Sequence, residues 1–295
     1  MYDLIIIGGG PAGLSAAIYA ARFNMKTILI SKDIGGYMME APKIDNYPGY
    51  TTVSGYDLSK NMKEQVKAQN IEIIEEEIAE IKPNLEVKTK TNKKFKGKSI
   101  LLALGTKRRK LDIKGEDEFA GKGVSYCATC DAPFFKDKEI IVVGGANSAI
   151  VSALLLAKFA KKVTIIYRKE KLRADPYWVK QIEKTDNIDT IFNANIKEIK
   201  GTNMVDSIIL DNNKEMKVDG VFVEIGSVPS TSLVTSIGVK LEKDGCIIVD
   251  KTQKTNINHI YAAGDITTNS NNMRQIITAC AEGAIAAESA YNALK

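Results

Sequence analysis

The chain opens on an apolar run, positions 4–7, that ends in three glycines and is followed by an alanine-rich segment and a second apolar run at 27–30. An apolar run, a glycine-rich turn, a helix-forming segment and another apolar run occur in this order in a βαβ unit. The hydrophobic pattern therefore predicts two parallel, buried strands joined by a helix at the start of the chain.

The same pattern returns later in the chain. Residues 2–23, YDLIIIGGGPAGLSAAIYAARF, match residues 138–159, KEIIVVGGANSAIVSALLLAKF, at a constant offset of 136 that pairs Gly8 with Gly144 and Phe23 with Phe159. A second apolar run again follows, at 163–166. Two copies of the unit predict an α/β fold with two Rossmann-like nucleotide-binding domains.

Weaker patterns predict further elements between and after the copies. They are helices at 58–69 and 273–294, strands at 71–74, 85–89, 100–105, 221–225 and 259–263, and a lysine-rich hairpin tip at 90–98. The last 50 residues thus contain a strand, a Gly-Asp turn and a closing helix.

Composition narrows the possible functions. Of 295 residues, 44% are hydrophobic and 26% are charged, with a net charge of +5, which fits a globular protein and is too weakly basic to indicate a nucleic-acid partner. No apolar run approaches the roughly 18 residues of a membrane-spanning helix, and the first residues resemble a strand rather than a signal peptide. We therefore expect no membrane partner. The single histidine, His259, excludes multi-histidine metal sites, and no metal site is predicted.

The first glycine-rich turn, GGGPAG at 8–13, has the spacing of a dinucleotide-binding turn between a strand and a helix. In such a turn Gly8 permits the tight bend, Gly10 lets the backbone approach a pyrophosphate, and Gly13 lets the helix pack on the strand. The helix N-terminus favours the anion. No acidic residue ends the second strand, so Ser31 is the candidate for a ribose contact.

Two of the four cysteines, Cys127 and Cys130, have the C-x-x-C spacing, which in a chain without a signal peptide indicates a redox-active pair more than a structural one. At the start of a helix such a pair can form a small disulfide, and the helix N-terminus lowers the pKa of a thiol. The adjacent Asp131 is a candidate proton donor or acceptor for thiol exchange.

The segment GVSYCATCDAPFF around these cysteines closely resembles the active-site segment of the low-molecular-weight thioredoxin reductases, and the resemblance covers the whole chain. The motifs that follow the family's order are GGGPAG, Gly35-Gly36, NYPG at 46–49, ALGT at 103–106, GEDEFAGKG before the cysteines, and AAGD at 262–265 with Arg274-Gln275 after it.

This resemblance implies a discontinuous FAD-binding domain at 1–111 and 245–295, and an NADPH-binding-like domain at 112–244 that carries the cysteines. The expected FAD-binding residues are Gly8, Gly10, Pro11, Ala12, Gly13, Ser31, Gly35, Gly36, Tyr37, Asn46, Gly105, Gly264, Asp265, Arg274 and Gln275. It further implies that Cys130 faces the flavin, that Cys127 attacks the disulfide of thioredoxin, and that Asp131 is the general acid. Two electrons would pass from reduced FAD through the cysteines to thioredoxin, and the resemblance also implies a cytoplasmic homodimer.

The second copy departs from the family where NADPH would bind. Ala146 replaces the middle glycine of its turn, Val151 stands where the family has an acidic residue, and residues 167–169 with Arg173 keep only part of a His-Arg-Arg and Arg motif. These losses resemble the ferredoxin-dependent flavin thioredoxin reductases. The sequence therefore favours reduced ferredoxin as the electron donor, with basic residues at 106–110 and 161–162 as candidate contacts, and leaves NADPH binding doubtful.

Three alternatives remain open. An ordinary NADPH-dependent thioredoxin reductase would have the same FAD and cysteine chemistry. A ferredoxin–NADP reductase of the same fold would lack the cysteine pair, and a non-catalytic redox sensor would reduce no thioredoxin.

Overall fold

The computed structural model describes residues 1–41, 44–231 and 233–295, and within them the chain forms two compact units. Unit 1 comprises Met1–Lys107 and Val228–Lys295, and unit 2 comprises Arg108–Ser227. Because unit 2 is inserted into unit 1, the two ends of the chain belong to the same unit.

The elements are numbered in chain order. The helices are α1 (Pro11–Arg22), α2 (Gly55–Ala68), α3 (Ala128–Asp131), α4 (Asn147–Leu156), α5 (Pro176–Ile182) and α6 (Ile276–Asn292), with 3-10 turns at Gly36–Glu40, Ala132–Phe135, Thr235–Ile237 and Ser270–Asn272. The strands are β1 (Tyr2–Gly9), β2 (Thr27–Ile34), β3 (Glu72–Ile74), β4 (Ile78–Ile81), β5 (Glu86–Thr89), β6 (Lys94–Leu102), β7 (Thr106–Arg108), β8 (Val124–Ser125), β9 (Glu139–Val143), β10 (Lys162–Tyr167), β11 (Ile188–Phe192), β12 (Ile196–Gly201), β13 (Val205–Leu210), β14 (Glu215–Lys217), β15 (Gly220–Val223), β16 (Ser227–Pro229) and β17 (Ile260–Ala262).

Unit 1 is built on a sheet in the order β3-β2-β1-β6-β5-β4, with β17 also paired to β6. Strands β3, β2, β1, β6 and β17 are parallel, and β4, β5 and the first part of β6 are antiparallel. In the register of β1 with β2, Leu4 lies opposite Thr27 and Ile7 lies opposite Ile30. The βαβ unit predicted from the first repeat is confirmed.

Strand β1 is apolar throughout because both of its faces are covered, as is usual in a parallel sheet. Leu4 and Ile6 belong to the core on the side of α1 and α6, whereas Ile5 and Ile7 belong to the core on the other side. Helix α6 lies so close to α1 that a Cβ on Gly283 would collide with the carbonyl of Ala12. This packing brings the C-terminal helix against the start of α1, where the glycine-rich turn lies.

The chain passes between the two units after Lys107 and after Ser227. Val234, Ile237 and Val239 lie in unit 1 because they are buried with the isoleucines of β1 and β2 in its core. The domain boundaries after residues 111 and 244, which the family resemblance implies, stay a prediction.

Unit 2 repeats the parallel arrangement. Its main sheet has the order β11-β10-β9-β15-β8 with every pair parallel, and a small antiparallel sheet has the order β12-β13-β14. Ile140 lies opposite Val163 and Val143 opposite Ile166, so β9, α4 and β10 form the second predicted βαβ unit. Both repeats therefore fold alike, which confirms the predicted α/β class with two Rossmann-like units.

Two local expectations need correction. The lysine-rich stretch at 90–98 is not only a hairpin tip, because β6 begins at Lys94 and directs Lys94, Lys96 and Lys98 outward. The helix after Cys127 is a single turn, α3, and a 3-10 turn follows it. Across the described part of the chain, no helix combines the length and the apolar character that crossing a membrane requires.

Candidate functional site

Unit 1 contains a cavity of about 660 Å³ at the edge where β1, β2 and β6 end. The carboxyl ends of parallel strands are where α/β folds bind their ligands. Of the predicted FAD-binding residues, twelve line this cavity: Gly8, Gly10, Pro11, Ala12, Ser31, Gly36, Tyr37, Gly105, Gly264, Asp265, Arg274 and Gln275. Residues far apart in sequence are therefore brought to one site.

The turn between β1 and α1 is shaped to accept a ligand. Gly10 precedes the helix with φ −75° and ψ −175°, and a Cβ added there would meet no atom within 4 Å. A Cβ on Gly13, by contrast, would collide with the carbonyl of Gly8. No side chain caps the N-terminus of α1. Its amides are thus available to an anion beside the exposed backbone of Gly10.

The second strand supplies the neighbouring wall. The Ser31 hydroxyl donates to the carbonyl of Asp33 at 2.7 Å, which leaves its oxygen lone pairs for a ligand hydroxyl. Gly35 lies outside the cavity lining, and its amide donates to the carbonyl of Gly9 at 2.7 Å. Its part in the site is therefore structural, because it ties the end of β2 to the glycine-rich turn.

Asp265 follows β17 and is only partly exposed at the cavity. Burial raises the pKa of its carboxyl group, Arg274 opposes that rise, and Glu282 adds to it. Its carboxylate accepts no hydrogen bond from the residues that the structure describes. A partly buried carboxylate of this kind is suited to accept hydrogen bonds from the hydroxyl groups of a ligand.

Arg274 and Gln275 directly precede α6, and both line the cavity. The Nη2 of Arg274 donates to the Sγ of Cys246 at 3.1 Å, whereas its Nε is buried with no partner among the described residues. The side-chain Nδ2 of Asn46 donates to the Oε1 of Gln275 at 3.0 Å. Asn46 is therefore joined to the site through Gln275, although it does not line the cavity.

These features fit a dinucleotide. The open backbone at Gly10 suits a pyrophosphate, the Asp265 carboxylate suits sugar-type hydroxyls, and the unpartnered Nε of Arg274 requires an acceptor that the described chain does not provide. The residues present are consistent with FAD.

Sequence reasoning missed several residues of this site. Glu76 and Glu77 line the cavity, and they follow β3, so their place at the end of a parallel strand was a usable signal. Glu282 and Cys246 do not line the cavity but form hydrogen bonds with residues that do, and no sequence pattern indicated them. Glu282 accepts hydrogen bonds from the amide of Gly264 at 2.7 Å and from Thr267 Oγ1 at 3.0 Å.

Unit 2 carries the cysteine pair as a disulfide between Cys127 and Cys130, with 5.3 Å between their Cα atoms. Cys127 is half-buried and Cys130 is exposed. The amide of Cys130 donates to the Sγ of Cys127 at 3.2 Å. Asp131 lies next in the chain, and among the described residues no hydrogen bond joins its carboxylate to either sulfur.

The segment before the cysteines is anchored by a buried carboxylate. Glu116, 1% exposed, accepts hydrogen bonds from the amides of Leu111 and Asp112 at 2.9 and 2.7 Å and from the Tyr126 hydroxyl at 2.7 Å. Burial first, and then this contact with Glu116, raises the pKa of Tyr126. Tyr126, which directly precedes Cys127, is therefore held in place by Glu116 of the GEDEF segment at 115–119.

The glycine-rich turn of unit 2 keeps its backbone despite Ala146. That residue precedes α4 with φ −101° and ψ −179°, close to the values of Gly10 in unit 1. The side chain of Asn147 donates to Asp175 at 2.9 Å and accepts from the Asp175 amide at 2.8 Å. The methyl group of Ala146 therefore takes up space at the turn without changing its path.

The part of the family's basic motif that this chain keeps lies near the turn. Arg168, Lys169 and Arg173 are exposed and form no ion pair with any described carboxylate. The amide of Arg173 donates to the carbonyl of Gly145 at 2.7 Å, which holds these cations beside the turn. Their arrangement suits an anionic group of a ligand.

The cations proposed for ferredoxin docking are largely paired within the chain. Lys110 lies 2.6 Å from Asp117. Lys161 lies 2.7 Å from Glu139, and Lys162 lies 2.7 Å from Asp189. Pairing reduces the positive potential that would attract an acidic partner.

Comparisons with known proteins agree with this geometry. The family model "Pyridine nucleotide-disulphide oxidoreductase" matches residues 2–283. A thioredoxin reductase of Listeria monocytogenes is 39% identical over 299 residues, which covers 98% of this chain and 93% of the relative. The crystal structure of Lactococcus lactis thioredoxin reductase has a TM-score of 0.94 at 38% identity and covers 100% of this chain and 99% of that one. A ferredoxin-flavin thioredoxin reductase from Clostridium acetobutylicum has a TM-score of 0.54 at 32% identity, over 99% and 98% of the two chains.

The chain belongs to the pyridine nucleotide-disulphide oxidoreductase family. Within that family it belongs with the bacterial thioredoxin reductases, to which it is similar over nearly its full length. It is an FAD-dependent oxidoreductase with a redox-active disulfide.

Proposed function

We propose that this enzyme reduces the disulfide of thioredoxin with electrons from a reduced pyridine nucleotide, passed through FAD and the Cys127–Cys130 pair. The observation that carries the proposal is the disulfide itself, in a chain whose other unit has a cavity suited to FAD. A ferredoxin–NADP reductase would need no such pair, and a sensor would not pass electrons on.

FAD, when bound, supplies the electron pair that opens the Cys127–Cys130 disulfide. In unit 1 the turn around Gly10 would hold its pyrophosphate, and Asp265 would accept hydrogen bonds from its hydroxyl groups. Arg274 and Gln275, the latter braced by Asn46, would bind the flavin ring. These roles are supported by the cavity lining and by the Asn46–Gln275 hydrogen bond.

Cys127 is proposed as the thiol that attacks thioredoxin. The Cys130 amide, 3.2 Å from the Cys127 sulfur, would stabilise a thiolate there, because a hydrogen bond to the charged form lowers a pKa. The thiolate attacks one sulfur of thioredoxin's disulfide, and a mixed disulfide forms while the other sulfur leaves and takes a proton, for which Asp131 is the candidate donor. Cys130 then attacks Cys127, which restores the disulfide and releases reduced thioredoxin.

The pyridine nucleotide is preferred as the electron donor over ferredoxin, which the sequence had ranked first. The family description and the identity to thioredoxin reductases over 98% of the chain support it. The backbone of the Ala146 turn and the exposed cations Arg168, Lys169 and Arg173 suit a phosphorylated nucleotide such as NADPH. Pairing of Lys110, Lys161 and Lys162 with carboxylates argues against a strong docking patch for ferredoxin.

Reduced ferredoxin remains the second candidate donor. The observation in its favour is the methyl group of Ala146 at the turn, together with 32% identity to a ferredoxin-flavin thioredoxin reductase. A methyl group that displaces a contact costs on the order of 1–3 kcal/mol, which can weaken NADPH binding strongly.

An anaerobic titration of the flavin-loaded enzyme tests the donor. We expect NADPH to bleach the flavin absorbance at stoichiometric concentration, and NADH to require more, since only NADPH carries the extra phosphate for Arg168 and Arg173. With oxidised thioredoxin present, turnover should follow NADPH oxidation. Bleaching by reduced ferredoxin and not by NADPH would overturn the donor proposal, and reduction of the flavin without turnover of any thioredoxin would favour a sensor.

A homodimer and a cytoplasmic location remain proposals. Exposed apolar side chains on α1 and α6, namely Tyr19, Ile277 and Ile285, support an interface formed by unit 1. Light scattering at micromolar concentration should give twice the monomer mass. The monomer mass alone would contradict the homodimer.

A further inference from the structure

Arg274 contributes a positive charge to the cavity of unit 1, and its side chain is held from behind the lining. Its Nη2 donates to the Sγ of Cys246 at 3.1 Å. Cys246 is completely buried and is not part of the lining. One nitrogen of the guanidinium is therefore hydrogen-bonded to a sulfur outside the cavity, whereas the buried Nε has no partner among the described residues.

The sulfur occupies a well-defined position. The amide of Cys246 donates to Asp244 Oδ1 at 3.0 Å, and its carbonyl accepts from the amide of Glu242 at 2.8 Å. The next amide, that of Ile247, donates to the carbonyl of Ile266 at 2.8 Å. One short segment therefore contacts Arg274 through a side chain and is bonded to the residue that follows Asp265.

The thiol form is the one that fits this contact. Burial raises the pKa of Cys246, Asp244 adds to the rise, and Arg274 opposes it. A neutral thiol accepts a hydrogen bond from the guanidinium without cancelling its charge. The positive charge of Arg274 therefore remains effective at the cavity, where it favours negatively charged ligand groups.

We propose that Cys246 is a positioning residue for the cofactor, in that its sulfur holds the Arg274 guanidinium in the orientation that leaves the Nε–H available to bound FAD. The inference rests on the FAD site of the proposed function. It adds a residue that neither lines the cavity nor belongs to any of the family motifs found in the sequence.

The test compares variants of the purified full chain by the dissociation constant for FAD, measured on the apoprotein from flavin fluorescence, and by the reduction potential of the bound flavin. Cys246→Ala should weaken FAD binding about tenfold and shift the potential, since a hydrogen bond to a charged group is lost. Cys246→Ser, which retains an acceptor, should restore binding to within about twofold of the original protein. Cys246→Val, which fills the space without an acceptor, should behave like Cys246→Ala and serves if the alanine variant fails to fold.

Two controls separate positioning from packing. Val66→Ala removes a fully buried side chain of unit 1 that does not line the cavity, and should leave the flavin potential unchanged. In a double-mutant cycle, Cys246→Ala should have no further effect once Arg274→Ala is present. Additive effects, or equal effects of the Cys246 and Val66 variants, would overturn the inference. If the unmodified protein does not bind FAD, the proposed function fails instead.

Discussion

The carboxylate of Glu282 accepts a hydrogen bond from the amide of Gly264 at 2.7 Å, directly before Asp265. The same group accepts from Thr267 Oγ1 at 3.0 Å and from Ser270 Oγ at 2.5 Å, and Glu282 is only 4% exposed. A buried carboxylate with its acceptor sites in use is a strong structural restraint. Helix α6 thereby fixes the turn that presents Asp265 to the cavity.

Replacing Glu282 by leucine should damage both stability and cofactor binding. The variant leaves the buried Gly264 amide and the part-buried Ser270 hydroxyl without their acceptor, whereas Thr267 Oγ1 can still donate to the carbonyl of Gly264. We therefore expect the free energy of unfolding to fall by about 3 kcal/mol and FAD to bind at least tenfold more weakly. Glu282→Gln keeps one acceptor oxygen, so its stability and its FAD affinity should lie between those of the original protein and those of Glu282→Leu. Urea unfolding and FAD titration measure both effects, and unchanged FAD binding in Glu282→Leu would contradict the restraint.

We expect Asp265 to lower the stability of the apoprotein and to strengthen the binding of FAD. Burial raises its pKa, so the group stabilises the fold fully below its unfolded pKa, near about 4, and loses that contribution as the pH rises through the folded pKa. Ionised Asp265 therefore destabilises the apoprotein at neutral pH. We expect Asp265→Asn to raise the apoprotein Tm at pH 7, with a smaller gain near pH 4, and to weaken FAD binding.

Asp244 serves as a control, because its pKa is shifted in the opposite direction to that of Asp265. The Cys246 amide lowers the pKa of Asp244, so its ionised form adds stability that is present above its unfolded pKa and is lost as the pH falls through the folded value. Asp244→Asn should therefore lower the apoprotein Tm at pH 7. If both substitutions shift the Tm in the same direction, charge burial is not the cause.

Gly10 and Gly13 should respond differently to a single added methyl group. The Cβ of Gly10→Ala would extend into open space at an ordinary φ, so the apoprotein should keep its Tm while FAD binding falls tenfold or more. The Cβ of Gly13→Ala would meet the carbonyl of Gly8, and we expect a loss of about 1–3 kcal/mol in folding stability. Thermal unfolding of the two apoproteins checks this, and equal Tm losses would contradict the distinction.

Ala146→Gly should strengthen NADPH binding. The turn already has the backbone shape of its counterpart in unit 1, so removing the methyl group opens space without rearrangement. We expect the dissociation constant for NADPH to fall by about five- to tenfold, as measured by calorimetry. FAD binding in unit 1 is the internal control and should not change, and an unaltered NADPH affinity would show that Ala146 is not the obstacle.

Cys130→Ser should trap the exchange intermediate. With Cys130 absent, only the freed second thiol of thioredoxin could reverse the mixed disulfide that Cys127 forms. A covalent complex should therefore accumulate when that second cysteine is serine and the remaining thioredoxin cysteine is supplied as a mixed disulfide with thionitrobenzoate, which Cys127 displaces as the leaving thiolate. Non-reducing electrophoresis and mass spectrometry detect it. Cys127→Ser is the matched control and should give no complex, and the reverse result would exchange the proposed roles of the two cysteines.

The parts of the fold that could be predicted were those with a local signal. Residues 4–7 and 140–143 are apolar because parallel strands are buried on both faces, and each run meets glycines where the chain must turn sharply. The repeat could therefore be recognised from its hydrophobic pattern alone. The disulfide could be expected because its two cysteines are three residues apart.

Contacts between distant segments left no such signal. The hydrogen bond from Arg274 to Cys246 spans 28 residues and the one from Gly264 to Glu282 spans 18, and neither Cys246 nor Glu282 belongs to a motif found in the sequence. Val234 and Ile237 are assigned to unit 1 by packing alone, because no sequence motif includes them. The preference for ferredoxin rested on Ala146, on Val151 and on the partial basic motif at 167–169 with Arg173, whereas the backbone at Ala146 keeps the shape of the turn.

The insertion of unit 2 has a consequence for biosynthesis. A ribosome completes residues 1–107 and then the whole of unit 2 before β17 and α6 emerge. Until then the nascent chain carries β6 without its partner β17, and Asp265 and Arg274 have not yet been made. The cofactor site can therefore form only after β17 and the segment through Arg274 have been translated and have joined the sheet that the first segment began.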